Sequence, residues 1–516
     1  MTTQILAEHQ VGFPILTLIL FLPLIGALLI WAVRDDVTAR RIALAAMGSV
    51  LGLCGLLWQR FERGTASFQF AEYADWIGPL GIGYHVGVDG ISLLFVILTA
   101  LISLFMLIAG WTTVTSSVRH YLICLLALEA TTIGIFLALD LVLFFFFWEI
   151  MLLPLFFLIK IWGGHDRDYH ALKYVLYTLA GSVLMLISIV ILHLNDHAYA
   201  LANGIEPARS FDLLRLLQTP LSPSLQTLVF IFFFFGFAVK GPIIPFHTWM
   251  PGVLTSGPIA VCVALAGIKL GAYGLLRFSL PLAPLAASKL AGLMVTLALI
   301  GVIYGAVIAL MQQNIRRLIA YSSISHLGMI VLGLFALNFH GLQGGLLQMI
   351  NLGVSTSTFL FLIGFLEQRR HGSELAQLGG VARQLPVLST FLLITLLSML
   401  ALPGTNLFVG EFLILLGAFE AHWLYAAIGV IGVILGAAYL LWWYERAIFG
   451  SQGTVAPPAQ PDLTRRELAV VVPLVLLIFW IGLYPGPLLK VINPSISAVV
   501  ERLQGSVGTT TLALKP

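Results

Sequence analysis

The chain has 516 residues, 59% of them hydrophobic and only 9% charged, with a net charge of +3 and a mean hydropathy of +1.01. A soluble globular chain carries about 25% charged residues, so this composition excludes a soluble enzyme, a disordered protein and a nucleic-acid binder. The apolar runs are long and continuous rather than alternating, which excludes a barrel and leaves an all-α polytopic membrane protein.

A membrane span needs about 20 apolar residues. Run length and helix breakers place fourteen, near 12–33, 42–60, 90–110, 118–137, 139–162, 168–193, 223–255, 257–279, 287–310, 316–337, 342–366, 385–420, 424–449 and 466–489. No cleavable signal is expected, because Glu8 and no Lys or Arg precedes the first span. Cys54, Cys124 and Cys262 fall inside spans without metal-ligand spacing and read as small core side chains. The glycine-rich GPLGIGYHVG lies between spans and reads as a loop, a chance match to a nucleotide-binding motif.

Two spans are too long and are interrupted. One reads FGFAVKGPIIPFHTWMPG, with Pro242, Pro245 and Pro251; the other reads LSMLALPGTNLFVGEFLILL, with Pro403 and Gly404. Proline removes a backbone donor, and irregular backbone at membrane depth survives only in a protein interior or beside water. Both breaks are therefore expected to line a polar path. Five spans over 118–279 and five over 287–449 each include a broken helix, read as the third of its set. An odd number of spans reverses orientation, so the two sets read as inverted repeats, a transporter architecture. They follow an N-terminal three-helix segment, 1–117, and precede a loop and C-terminal helix, 450–516. With the N-terminus outside, fifteen Lys or Arg fall on the inner side, Arg40 and Arg370 among them. Nine fall on the outer side, including Arg209, Arg277 and Lys515. That bias favours both termini outside. Lys240 and Lys269 belong to neither side, being buried in spans.

An ionisable side chain at a helix centre costs about 2.5–3.5 kcal/mol on insertion scales, so those present are candidate functional groups: Glu129, Glu149, Lys240, Lys269, His326 and Glu411. Glu149 sits in LVLFFFFWEIMLLPLFFLIK, beside Trp148. Burial disfavours a charged form and a nearby opposite charge favours it. A buried carboxyl with a movable cation is thus a tunable proton holder, and Lys240, at the first break, is that cation. The bland alternative is a static ion pair. Lys269 lies one span later in LAGIKLGAYG. His326 shares its span with Ser322, Ser323 and Ser325, and histidine titrates near neutral pH. Glu411 follows the second break and is the counterpart of Lys240. Glu129 either faces Glu149 or bonds within the core. His247 and Trp249 shape the first break, and His247 is a secondary candidate to wet the path.

At these motifs the sequence resembles a known family. LVLFFFFWEIMLLPLFFLIKIWGG, FAVKGPIIPFHTWMP, RRLIAYSSISHLGMIVLGL and PGTNLFVGEFLILLG are similar to the antiporter-like chain M of proton-pumping NADH:quinone oxidoreductase, respiratory complex I, along essentially the whole chain. The resemblance implies a fourteen-helix fold with two inverted five-helix repeats, the first an uptake half-channel and the second an exit half-channel. It gives Glu149, Lys240, Lys269, His326 and Glu411 proton-transfer roles. An acid at 411 fits chain M, since the related chains L and N usually carry lysine there. The chain ends soon after the fourteenth span, without the long lateral helix of chain L. One departure stands out. The family commonly has a His-Gly pair in the eleventh helix, whereas here Leu352 precedes Gly353, leaving water, Asn351 or Ser355 to bridge a missing titratable step. The departure also fits a divergent second copy of chain M.

The resemblance further implies no redox cofactor on this chain, with NADH, FMN, iron–sulfur clusters and quinone on other subunits. It implies neighbours resembling chains L and N, the lipid bilayer around them, no nucleic acid, and a bacterial cytoplasmic (inner) membrane. Two alternatives share the motifs: a subunit of a multisubunit cation/proton antiporter, and one of a membrane-bound hydrogenase-type complex.

Overall fold

The computed structural model describes residues 11–204, 211–370, 372–450 and 461–513, with side chains to 505. Glu8, Arg209 and Lys515 lie outside the described residues. Among the described residues thirteen helices are long and apolar enough to cross a membrane. The twelfth span, Pro386–Met399, is shorter and resumes after a break as Asn406–Ala421, which makes fourteen. The order is Ile15–Ala32, Asp36–Arg60, Ser92–Ala109, Val118–Leu137, Leu141–Trp162, Arg167–Ala202, Pro223–Lys240, Ile259–Leu282, Pro284–Leu310, Ile315–Phe335, Phe339–Arg370, the broken twelfth, Trp423–Phe449 and Arg465–Leu483.

Local chemistry sets the ends. Asp35, Asp140, Ser222, Asn314 and Thr464 each accept a backbone N–H of the first turn that follows. Pro223, Pro284 and Pro386 start helices where a missing N–H costs nothing. The sixth span has 36 residues. That is about 54 Å at the usual rise, against a hydrocarbon core of about 30 Å, so it projects well beyond the bilayer. Asp196 in this overhang pairs with Arg215 at 2.9 Å.

Three features correct the sequence reading. First, GPLGIGYHVG is not a loop: strand β1 (Gln69–Ile77) and strand β2 (Ile82–Val88) form an antiparallel hairpin, with Tyr73 opposite His85. Glu72 on β1 accepts the backbone N–H of Leu16 at 2.8 Å and so holds the start of the first span. Second, the fourteenth span stops at Leu483, and a further helix, Gly486–Ala513, packs back against the body. Third, in each set of five the broken helix is the fourth, not the third. After Lys240 the first break runs through non-helical residues to the short helix Met250–Ser256, and the Trp249 indole N–H closes it by donating to the Val239 carbonyl at 2.8 Å. The second break spans 400–405, with Gly404 at φ +96°, a conformation that favours glycine.

The two ends of the first broken region are held by close helix approach. A Cβ on Gly241 would sit 3.0 Å from the Gly271 Cα, so the seventh and eighth spans touch backbone to backbone beside Lys240. The eleventh span is buried over its membrane-length core, from Gly341 to Leu366, and it contacts the eighth, tenth, twelfth and fourteenth. It is the central post of the second half.

Candidate functional site

Glu149 stands near the middle of the fifth span and is half-buried, with one carboxyl oxygen enclosed and unpartnered. The Ser182 hydroxyl and the charge of Lys240 are its polar surroundings. Lys240 is 6% exposed. Its Nζ donates to the Trp148 carbonyl at 2.7 Å and stands 4.0 Å from the Trp148 ring centroid. No N–O contact within 4.0 Å joins it to Glu149 among the described residues. The lysine is thus parked on the residue next to its acid, on a carbonyl and an aromatic face.

Lys269 occupies a break that the prolines do not mark. The eighth span unwinds at Ile268, which is extended, and restarts at Leu270. The Lys269 Nζ donates to the Ala266 carbonyl at 2.5 Å. A carbonyl freed by a broken helix turn is the natural partner for a buried ammonium. Glycines at 267 and 271 permit the break, each packed too closely for a Cβ: Gly267 on Ser357, Gly271 on Phe237 and Gly241. The lysine-bearing breaks of the seventh and eighth spans therefore meet.

In the second half the structure brings His326 and Glu411 together. Nδ1 of His326 lies 3.4 Å from Oε1 of Glu411, and Nε2 of the same ring is buried without a partner. A cavity of about 10 Å³ adjoins both, lined also by Ser325, Met399 and Tyr439. That is room for about one water. Two of the nearby serines already hold protein partners: Ser325 donates to the Val302 carbonyl at 2.8 Å and Ser322 accepts from Tyr439 at 2.7 Å. No hydrogen bond or ion pair among the described residues joins Lys269 to His326.

A polar chain on the eleventh and twelfth spans runs beside Leu352. Gln348 donates to Glu411 at 3.2 Å, Asn351 donates to the Asn406 carbonyl at 2.7 Å, and Asn406 donates to the Asn351 carbonyl at 3.0 Å. Ser355 and Ser398 both donate to the Asn406 side chain, at 3.0 and 2.7 Å. Leu352 itself is fully buried. Of this group the sequence singled out only Asn351 and Ser355. Gln348 shares a helix face with them by its spacing of three and seven residues, and Asn406 follows the Pro403–Gly404 break directly; both signals were readable.

Two candidates stand apart. Glu129 is fully buried, with neither carboxyl oxygen hydrogen-bonded among the described residues. It neighbours Cys54 on the second span, and no hydrogen bond among the described residues joins it to Glu149. His247 packs edge-on against Tyr304 at 5.2 Å, its Nδ1 unpartnered. Arg277 also needs correction as an outer-side loop charge. It is 7% exposed within the eighth span and forms a two-armed ion pair with Asp89, joined by Ser92 at 2.8 Å. No group of three or more metal-ligating side chains exists among the described residues, and the three cysteines are unpaired.

The family described as NADH:quinone oxidoreductase/Mrp antiporter, TM matches residues 138–436, which include Glu149, Lys240, Lys269, His326 and Glu411. The chain belongs to this family. It is 38% identical over 508 residues to NADH-quinone oxidoreductase subunit M of Rhodobacter capsulatus, covering 96% of this chain and 98% of that protein. It is 36% identical over 490 residues to the subunit M of Rickettsia prowazekii, covering 94% and 98%. A chain of respiratory complex I from Thermus thermophilus, solved with bound NADH, superposes with a TM-score of 0.85 at 30% identity, over 95% of this chain and 99% of that one. The helical polytopic fold is thus that of an antiporter-like family member, and the chain is a multi-pass membrane protein.

Proposed function

We infer that this chain carries protons across the membrane through Glu149, Lys240, Lys269, His326 and Glu411. It is a membrane-arm subunit of the M type in NADH:quinone oxidoreductase, the enzyme of its full-length relatives. One observation supports the relay most: Lys240 sits on the Trp148 carbonyl at a helix break, adjacent to Glu149 and not locked to it. A static ion pair would be closed.

Charge movement in a neighbouring subunit would draw Glu149 away, on the side where this chain leaves it half-exposed. Lys240 then loses its counter-charge and passes a proton towards Lys269, across the Gly241–Gly271 contact. From Lys269 the proton crosses the eleventh span through water held beside the Ser355–Asn406–Asn351–Gln348 chain to His326 and then Glu411, and leaves on the outer side. Moving one charge against 100 mV requires about 2.3 kcal/mol. One made or broken charge-assisted hydrogen bond, about 1.5–3 kcal/mol, is of that order.

In this reading residues 118–279 form the uptake repeat and 287–449 the exit repeat, inverted relative to each other. Both termini face the outer side of a bacterial cytoplasmic membrane. Subunits resembling chains L and N flank the chain, and NADH, FMN, iron–sulfur clusters and quinone reside elsewhere in the complex. An antiporter complex without NADH chemistry shares the family, and the 36–38% identities to oxidoreductase subunits over nearly the full length favour the oxidoreductase. Purification of the native complex tests this: peripheral flavin and iron–sulfur subunits should co-purify, and small antiporter subunits in their place would contradict it.

A further inference from the structure

Lys240 is 6% exposed, and its neighbouring acid, Glu149, makes no close ion pair with it among the described residues. An ammonium taken out of water needs compensation from its surroundings. Besides one backbone carbonyl, the group that offers it here is the indole of Trp148. The Lys240 Nζ stands 4.0 Å from the ring centroid. That is well inside the roughly 6 Å over which a cation is drawn to an aromatic face, and tryptophan has the strongest such face. The next closest cation over a ring among the described residues, Arg446 over Trp442 at 4.3 Å, belongs to an exposed arginine, where water competes.

The ring is also held in place. Trp148 is 1% exposed. Phe144, one turn earlier on the fifth span, flanks it at 5.4 Å, and Phe237, one turn before Lys240 on the seventh span, meets it edge to face at 5.5 Å. Phe237 is wedged in turn against Gly274 of the eighth span, where a Cβ would come within 2.4 Å of its ring. Three spans therefore fix the indole beside the first helix break.

We propose that Trp148 is a positioning residue of the relay, whose indole face holds the charged Lys240 ammonium while Glu149 is unpaired from it. The proton stays on Nζ during that interval and then passes on towards Lys269. The ring neither gives nor takes a proton. The Trp148 carbonyl, which accepts from the same Nζ at 2.7 Å, is present whatever side chain stands at 148, so changing the indole isolates the share of the ring. The inference rests on the relay through Lys240 inferred above and adds to it a residue with no titratable group.

The test uses the whole complex in membrane vesicles and reads the rate of NADH-driven proton pumping, normalised to the amount of assembled complex. Tryptophan analogues with one to four ring fluorines are placed at 148 by nonsense suppression. Fluorine draws electron density from the ring face and changes its size little, so packing is kept while the attraction for a cation falls stepwise. The logarithm of the pumping rate should fall with each added fluorine. Among natural substitutions, Trp148→Phe should keep part of the activity, and assembled Trp148→Leu should lose about tenfold or more, as expected for a desolvated cation–ring contact. A flat fluorine series would overturn the proposal and leave Trp148 as packing. Lys240→Ala, measured alongside, separates the two readings: loss of pumping there with a flat series removes the ring alone, whereas normal pumping there removes the relay and the role of Trp148 with it.

Discussion

The Arg277–Asp89 pair fastens the C-terminal end of the Lys269-bearing span to the hairpin's exit, and removing one partner has a calculable consequence. Arg277 and Asp89 side chains are 8% and 4% exposed. Two guanidinium arms reach the carboxylate, one at 2.9 Å, and the Ser92 hydroxyl completes the set. Breaking a buried pair by removing one member costs about 3–5 kcal/mol, because the other is left charged and unmatched. A cavity of about 340 Å³ touches both residues, so water can reach the survivor and the lower end, about 3 kcal/mol, applies. That is about a hundredfold shift in a folding or docking equilibrium. Asp89→Leu and Arg277→Met should each reduce the amount of assembled complex and lower its inactivation temperature. The double variant should recover most of the loss, because two apolar groups leave no stranded charge. The assay is complex abundance with thermal inactivation of proton pumping. Single variants indistinguishable from wild type, or a double variant worse than either, would refute the reasoning.

Glu411→Gln keeps shape and the Gln348 contact, so assembly should survive while proton transfer in vesicles falls; Glu411→Asp should retain part of it, and near wild-type transfer in the Gln variant would remove Glu411 from the path. Gly271→Val places a side chain against the Phe237 carbonyl and Gly241, so the seventh and eighth spans should separate and the assembled complex should be lost, as judged by native gel. Cysteines at 40 and 34 should be labelled from the inner side and one at 209 from the outer side; labelling of position 40 from outside would invert the topology.

The spans were legible because lipid leaves no choice: backbone groups must be satisfied within the helix, so long apolar runs are helices. The breaks at Pro242–Pro251 and Pro403–Gly404 were legible because proline cannot donate. The break at Lys269 was not. It contains no proline, and glycine carries no such signal until its packing partners, Ser357 and Gly241, are known. The hairpin was missed for a related reason: residues 69–88 are short and glycine-containing, and pairing partners such as Tyr73 and His85 are set by register. Among the site residues, single charges in apolar surroundings identified themselves by their cost. Their pairings did not. His326 and Glu411 lie 85 residues apart in the sequence and Asp89 and Arg277 lie 188 apart, and nothing local announces either contact. The helix Gly486–Ala513 was hidden because its moderate hydropathy resembles a tail until the body it packs against is in place.

The relay stands or falls on Glu149 and Lys240 acting as one unit. The most direct measurement is NADH-driven proton pumping in membrane vesicles by Glu149→Gln, Lys240→Ala and the double variant, each normalised to the amount of assembled complex. Each single change should remove most of the pumping, and the double should be no worse than the singles, because all three disable the same switch. Normal pumping by both single variants would show that Lys240 on its Trp148 carbonyl is a structural contact and that protons cross elsewhere.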